Sequence, residues 1–432
     1  MMHEKSIAAI ADRYFKRFGF KEAQIDAPVP SDMKIGLVIP CYNESELCST
    51  LDSLSQCILP QFPVEILIVI NNGLHDTEEV KLRNRQTQQE IEEWKKANDN
   101  TFLKIHLLII EDLPYKHAGV GLARKIGMDE ALMRFASIDY CGMIVCLDAD
   151  CLVEANYLQV LEQVQITHSP KSSTIYFEHD IWQETNPALR EGIIYYELFL
   201  RYYINALHYS AYPFAMHTIG SSMAVRADIY ALSGGMNRRK AGEDFYFLHK
   251  VVPLGDFFLI QNTTVYPSAR LSDRVPFGTG KAQQDWLMDK EKKSYTYHPD
   301  TFEDLKLLME SIPQLYEADY SDKDLISFAF SEPLRHFLNE QEFAERLKEM
   351  KGNSSSYQTF AKRFFSWFDG FKALKFVHYC RDYYYKEEEL CSASQKLLKK
   401  LGLDSSQEAL ALLQAYRGLD KSRNQINLTL TL

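Results

Sequence analysis

Met143-Ile144-Val145-Cys146-Leu147-Asp148-Ala149-Asp150 is the stretch whose reading decides the fold. An apolar run ends abruptly in two carboxylates separated by one alanine. Physically, this is a buried strand whose C-terminal end delivers acids to the sheet edge, where open α/β sheets bind ligands. Residues two apart on an extended chain point the same way, so Asp148 and Asp150 are expected to share one hard cation and the phosphates it carries. The plainer reading is a strand ending in an Asp turn. The surrounding chain must decide between them.

Upstream, Lys34 to Pro40 reads as a first strand stopped by proline, with Cys41-Tyr42-Asn43-Glu44-Ser45 as its turn. Val64 to Ile70 is a second, fully buried strand that ends in the turn Asn71-Asn72-Gly73. A polar helix spans Glu78 to Ala97, and Phe102 to Ile110 is a third strand. Gly119-Val120-Gly121 then opens a helix containing Arg124 and Lys125 that runs to about Phe135. Strands alternating with helices predict a parallel, helix-flanked sheet. Downstream, the spacing predicts a strand over 173–178, an aromatic-rich helix over 188–209, and a small-residue strand over 219–225. A helix opens at Gly242-Glu243-Asp244. From about residue 284 the chain is dense in Lys, Glu, Leu and aromatics at helical spacing. The expected organisation is an N-terminal helical extension over 1–30, an α/β domain over 31–283 and a helical C-terminal domain over 284–432.

With 432 residues, 46% hydrophobic and 25% charged, the composition is that of a soluble globular protein. A formal net charge of −11 argues against a nucleic-acid binder. No apolar run is long enough for a transmembrane helix, and the N-terminus lacks a signal-peptide core. The eight cysteines form no CxxC pair and fit buried thiols of a reducing compartment; Cys146 and Cys151, beside the acids, read as structural. The expected location is cytoplasmic, compatible with peripheral attachment to the inner face of the membrane.

The ordered set is more specific than any member. Ile35-Gly36-Leu37-Val38-Ile39-Pro40-Cys41-Tyr42-Asn43-Glu44, Leu147-Asp148-Ala149-Asp150, Gly234-Gly235-Met236 and Glu243-Asp244 resemble, in order and spacing, family 2 glycosyltransferases of the GT-A fold. The resemblance covers roughly residues 33–280 and implies a Rossmann-like, mostly parallel sheet flanked by helices. It also implies a hexosyltransferase-type enzyme that moves a sugar from a nucleoside diphosphate donor to an acceptor hydroxyl with inversion, assisted by Mg²⁺ or Mn²⁺. By that likeness Pro40, Tyr42 and Glu44 line the nucleotide pocket, Asp150 holds the metal with Asp148, and Asp148 also contacts the donor. Asp244 is the general base, with Glu243 beside it as a second catalytic candidate. The roles agree with the chemistry: a diphosphate leaving group needs neutralisation, and an attacking hydroxyl needs a carboxylate to take its proton.

Two departures are visible. Asn71-Asn72-Gly73 stands where such enzymes carry acids, leaving Asn71 to read a base or ribose. No later histidine completes a metal site. In its place, Ser268 to Lys281 carries Arg270, Arg274 and Lys281 among serines and glycines, as a loop closing over phosphates would, or as a solvated surface segment would. Arg124 or Lys125, at a glycine-flanked helix start, is a further phosphate candidate. The acceptor is open among a saccharide, a lipid-linked molecule and a small molecule. The rivals are a retaining GT-A transferase without a base at Asp244, and a non-catalytic sugar-nucleotide-binding or assembly protein.

Overall fold

A computed structural model of the chain describes residues 6–98, 100–272, 278–317 and 330–423. They gather into two compact units. One holds the chain up to Glu184, Thr218–Lys281 and the segment from Lys421; the other holds Thr185–His217 and Ala282–Asp420.

The first unit opens with helix α1 (Ile7–Phe18), whose N-terminal Ser6 side chain accepts the Ala9 amide at 3.3 Å. Ile7, Ala11 and Tyr14 recur at helical spacing and are its buried face. Then come β1 (Ile35–Cys41), α2 (Leu47–Ser55), β2 (Val64–Gly73), α3 (Glu78–Ala97), β3 (Leu103–Leu113), α4 (Val120–Ser137), β4 (Met143–Cys146), β5 (Leu152–Val153), α5 (Tyr157–Thr167) and β6 (Ser172–Phe177). After α6 (Pro187–Tyr209), which belongs to the second unit, the first resumes with β7 (Met223–Arg226), α7 (Ala227–Leu232), α8 (Glu243–Val251) and β8 (Phe257–Tyr266).

The eight strands form one sheet in the order β3-β2-β1-β4-β7-β6-β8-β5. Strands β3, β2, β1 and β4 are parallel; β7 is antiparallel to both its neighbours, β6 and β8 are parallel, and β5 is antiparallel to β8. The expected α/β class, a mostly parallel sheet flanked by helices with a helical C-terminal region, is observed. Burial explains it: β1, β2 and β4 are buried throughout, as strands covered on both faces must be.

Three details differ from expectation. The strand read over 219–225 begins only at Met223, because Gly220–Ser222 forms a 3₁₀ turn in which the Ser222 amide donates to the Ile219 carbonyl. Strand β1 does not stop at proline; it runs through Pro40, paired with Val69, to Cys41. Lys34 and Val38 accept from Met143 and Leu147, so even-numbered residues of β1 bond toward β4. That ladder ends at Val38↔Cys146, so the donor Pro40 lacks falls where no strand needs it. Strand β8 was not anticipated at all. It carries Asn262-Thr263-Thr264, whose two threonines are buried, and a bulge lies between the pairs Ile175↔Ile260 and Phe177↔Val265.

Helix α4 lies against β1 and β2 closely enough that a Cβ on Gly127 would meet Val38 Cγ1 at 2.4 Å. Its charged residues Arg124, Lys125, Asp129, Glu130 and Arg134 are all buried. Buried charges persist only when paired. Arg134 accordingly grips Glu65 of β2 with Nε and Nη2, and Lys125 pairs with Asp129 at 3.0 Å.

The second unit is built around α6, capped by the Asn186 side chain on the Ala188 amide. Aromatic residues of α6 pack within the unit: Tyr202 is fully buried against Phe302, and Tyr195 lies 4.6 Å from Trp286, ring to ring. Glu197 and Arg201 of α6, both fully buried, form a closed ionic core with Arg417 and Asp420 of the helix Ala409–Ser422. Among the described residues, no helix is long and apolar enough to cross a membrane.

Candidate active site

The site residues meet at the carboxyl ends of β1 and β4, and the geometry separates them into two ion clusters. In the first, the Arg124 guanidinium donates to Asp148 and to Glu243. The side chains of Arg124 and Glu243 are 4% and 2% exposed, while Asp148 is 37% exposed, so only Asp148 presents an oxygen to solvent. Gly220 permits this burial, since a Cβ there would lie 2.4 Å from Arg124 Nη2.

The second cluster joins Glu44, Asp150 and Arg270. Arg270 Nη2 donates to Glu44 and, at 2.9 Å, to Asp150. Glu44 is buried and also accepts the Ser45 and Glu46 amides, each at 2.8 Å. Asn43, in the left-handed region at φ 49°, donates its amide to Asn84 Oδ1, and Thr87 Oγ1 donates to the Glu44 carbonyl at 2.6 Å. Asn84 Nδ2 also donates to the carbonyl of Asn71, which is itself buried at the end of β2. The polar helix α3 therefore shapes the Tyr42-Asn43-Glu44 turn. Asn84 and Thr87 escaped the sequence reading because their burial shows in no local pattern.

Asp148 and Asp150 do not lie on extended chain. The Cys151 amide donates to the Asp148 carbonyl at 3.2 Å, closing a turn through Ala149, and Thr50 Oγ1 donates to the Ala149 carbonyl. The expected alternation along an extended strand is therefore replaced by a turn, and in this structure Asp148 is paired with Arg124 and Asp150 with Arg270.

Arg124, Lys125 and the Gly119-Val120-Gly121 turn were expected to cradle a phosphate. A Cβ on Gly119 would meet Lys240 Cα at 2.8 Å, and one on Gly121 would meet the Arg239 carbonyl oxygen at 2.2 Å. These glycines accommodate the 239–240 backbone over the start of α4. Lys125 Nζ donates to Tyr14 Oη at 2.6 Å, and the hydroxyls of Tyr14 and Tyr230 both donate to Asp129 at 2.6 Å. Arg124 and Lys125 are thus committed to protein partners.

Asp244 sits in the first turn of α8, behind Gly242 at φ 70°. It accepts the Phe245 amide at 2.7 Å and an amide from Gly220. Burial raises its carboxyl above the ordinary value, the Arg124 charge opposes this, and the Asp148 charge adds to it. Asn237 Nδ2 holds the Glu243 carbonyl at 3.0 Å, fixing the helix start. Burial also pushes the Cys146 thiol up to about 12, in keeping with a structural thiol. Arg274 lies outside the described residues.

A hard divalent cation such as Mg²⁺ or Mn²⁺ requires oxygen donors. Among the described residues no group of three or more His, Cys, Asp or Glu side chains is arranged to hold a metal ion. Asp148 and Asp150 are part-exposed oxygen donors, a type that can bind such a cation singly or in pairs when water and substrate phosphate complete its shell, and here each is paired with an arginine.

No family profile matches the chain, and no curated protein matches it. Among solved structures it is similar to S. aureus TarS 1-349 in complex with UDP-GlcNAc, at 15% identity over 90% of this chain and 91% of that one, with a TM-score of 0.39. It is also similar to GalNAc-T7 with UDP, GalNAc and Mn²⁺, at 14% identity over 74% of this chain and 57% of that one, with a TM-score of 0.35. Likenesses this distant decide neither a substrate nor a residue's role.

Proposed function

We propose that the chain is a nucleotide-sugar glycosyltransferase of the GT-A kind. One observation carries the reading: Glu44, Asp148, Asp150 and Asp244 gather with two arginines at the carboxyl ends of parallel strands, where such sheets bind nucleotides. Pro40, Tyr42 and Asn71 border the turn that receives the base and ribose. Arg270, about one-third exposed, turns from Glu44 and Asp150 toward the diphosphate when donor enters. Asp150 with Asp148 would hold Mg²⁺ or Mn²⁺, which supplies Lewis-acid neutralisation of the leaving diphosphate. Asp244 takes the proton of the acceptor hydroxyl, for which a carboxyl raised above its usual range is suited, and a single displacement inverts the anomeric carbon. Glu243, sealed from solvent, acts through Arg124 as a positioning residue that holds Asp148.

A second reading is favoured by the two guanidiniums already seated on the acids. In it, transfer proceeds without metal and Arg270 alone neutralises the diphosphate. Calorimetry with UDP-, GDP- and dTDP-sugars, in Mn²⁺ and in EDTA, separates the two. Absence of binding to every donor would overturn the proposal.

A further inference from the structure

We infer that one face of the first unit docks on an anionic membrane surface. The face is formed by the second half of α1, the turn after α7 and residues 238–240. Ring contacts make it continuous. Phe18 packs on Gly234, where a Cβ would meet its ring at 3.6 Å, and the Arg238 guanidinium stands 4.8 Å from the Phe20 centroid.

The charge of this face runs against that of the chain, which carries 59 acidic and 48 basic residues. Arg13, Arg17, Lys21, Arg238, Arg239 and Lys240 are exposed and make no ion pair among the described residues. Over 7–22 and 232–242 the acids are Asp12, already paired with Lys16 at 2.7 Å, and Glu22. Aromatic rings seat the cations instead: Arg17 lies 5.2 Å from the Phe18 centroid, and Arg239 lies 3.6 Å from that of Tyr246. A ring orients a cation and leaves its charge in place. The face therefore presents a positive field to a negative partner.

A basic patch alone is an ordinary solvated surface, and the apolar residues select the partner. Ile7, Ala11 and Tyr14 are the buried stripe of α1. Phe18 is the next member at that spacing, but it runs past the protein it covers and is 40% exposed. Leu232, the last residue of α7 and two before Gly234, is 61% exposed. Two large apolar side chains thus stand among the cations. A polyanion uses only the charges. A bilayer uses both, because its phosphates meet Arg and Lys while Phe and Leu enter the acyl boundary beneath them.

The placement bears on the proposed function. The backbone of Arg239 and Lys240 covers Gly121 and Gly119 at the start of α4, and Asp244 follows four residues after Lys240. Docking sets the proposed site at the headgroup layer, where a lipid-linked acceptor is presented. That consequence rests on the transferase reading; the docking does not.

The test is co-sedimentation of the full chain with phosphatidylcholine vesicles, with and without about 30% phosphatidylglycerol. Binding is expected only with the anionic lipid, and it should fall away between about 0.1 and 0.5 M NaCl as the charges are screened. Arg17→Gln with Lys21→Gln should weaken it about 25-fold, near fivefold per charge, and Leu232→Ser about fivefold. All three positions are exposed, and melting temperatures are compared with wild type. Lys96→Gln with Lys104→Gln, an equal charge change at exposed positions away from this face, should leave binding unchanged. No binding to anionic vesicles, equal binding to phosphatidylcholine alone, or equal loss in the Lys96/Lys104 variant would each overturn the inference. So would binding that Leu232→Ser leaves intact and that soluble polyphosphate displaces fully, which would make the face a polyanion site. Failure of every donor to bind would leave the docking standing.

Discussion

The phenolic oxygen of Tyr14 stands 2.0 Å from where a Cβ on Gly235 would lie. Gly235 has φ 69°, so its turn needs glycine for the backbone as well as for the approach of α1. Through the same hydroxyl Tyr14 meets Lys125 and Asp129 on α4, one residue from Arg124. Gly235→Ala is therefore expected to cost roughly 1–2 kcal/mol from the left-handed backbone alone, and more from the collision. Denaturant unfolding of Gly235→Ala, Tyr14→Ala and the double variant checks this. The collision component should vanish in the double variant; strict additivity would refute the contact.

Arg270 supplies the second prediction. It is the cation on Asp150 and on buried Glu44, so Arg270→Ala should weaken donor binding about 10- to 100-fold through the lost phosphate partner. Asp150→Asn addresses the metal: it should leave donor affinity the same in Mn²⁺ and in EDTA, where wild type differs. Wild-type affinity that is already equal in both would favour the arginine-only reading.

The α/β class was legible because β1, β2 and β4 are buried on both faces and so read as continuous apolar runs. Strand β8 has the same composition over Phe257–Ile260 but continues through Gln261 to Thr264 into a bulge, where polar residues mask the strand. At the site, Asp148 and Asp150 announce themselves by ending an apolar run. Their partners do not. That Arg124 faces Glu243, 119 positions away, and that Arg239 covers Gly121 are long-range packing facts with no local period to betray them. Asn84 and Thr87 look like ordinary residues of a polar helix, and only the fold turns them toward Asn43 and Glu44.

In the second unit, Arg201 bonds Glu197 at 2.7 Å and Asp420 at 2.6 Å with no solvent to replace either partner. Arg201→Met should cost about 3–5 kcal/mol, since it leaves the buried Asp420 without its arginine and Glu197 with Arg417 alone. A chain ended near residue 285 removes Arg417 and Asp420 together and orphans the same face of α6. It is expected to be insoluble or unfolded. A soluble, cooperatively folding truncation, seen by calorimetry, would contradict this.

Asp244 gives the most decisive test of the chemistry. Its carboxyl is raised by burial, with Asp148 adding to the effect and Arg124 opposing it. If it is the base, turnover requires its ionised form, so the acid limb of kcat/KM should lie above the usual aspartate value of about 3.9. The linkage has a definite sign. A folded pKa above the unfolded one means that the native state holds its proton longer. The stabilisation is complete below the unfolded value and is lost as pH rises through the folded one. Asp244→Asn imitates the neutral form and should flatten that slope while the protein stays folded, because asparagine still accepts the Phe245 amide. It should lower kcat about 10²–10⁴-fold with donor affinity nearly intact. If the carboxylate merely shaped the start of α8, the variant would turn over near normally. NMR of the product anomer is the independent check, since one displacement must invert the centre. Retention, or near-normal kcat in Asp244→Asn, would remove Asp244 from the base role and favour a retaining transferase on the same sheet.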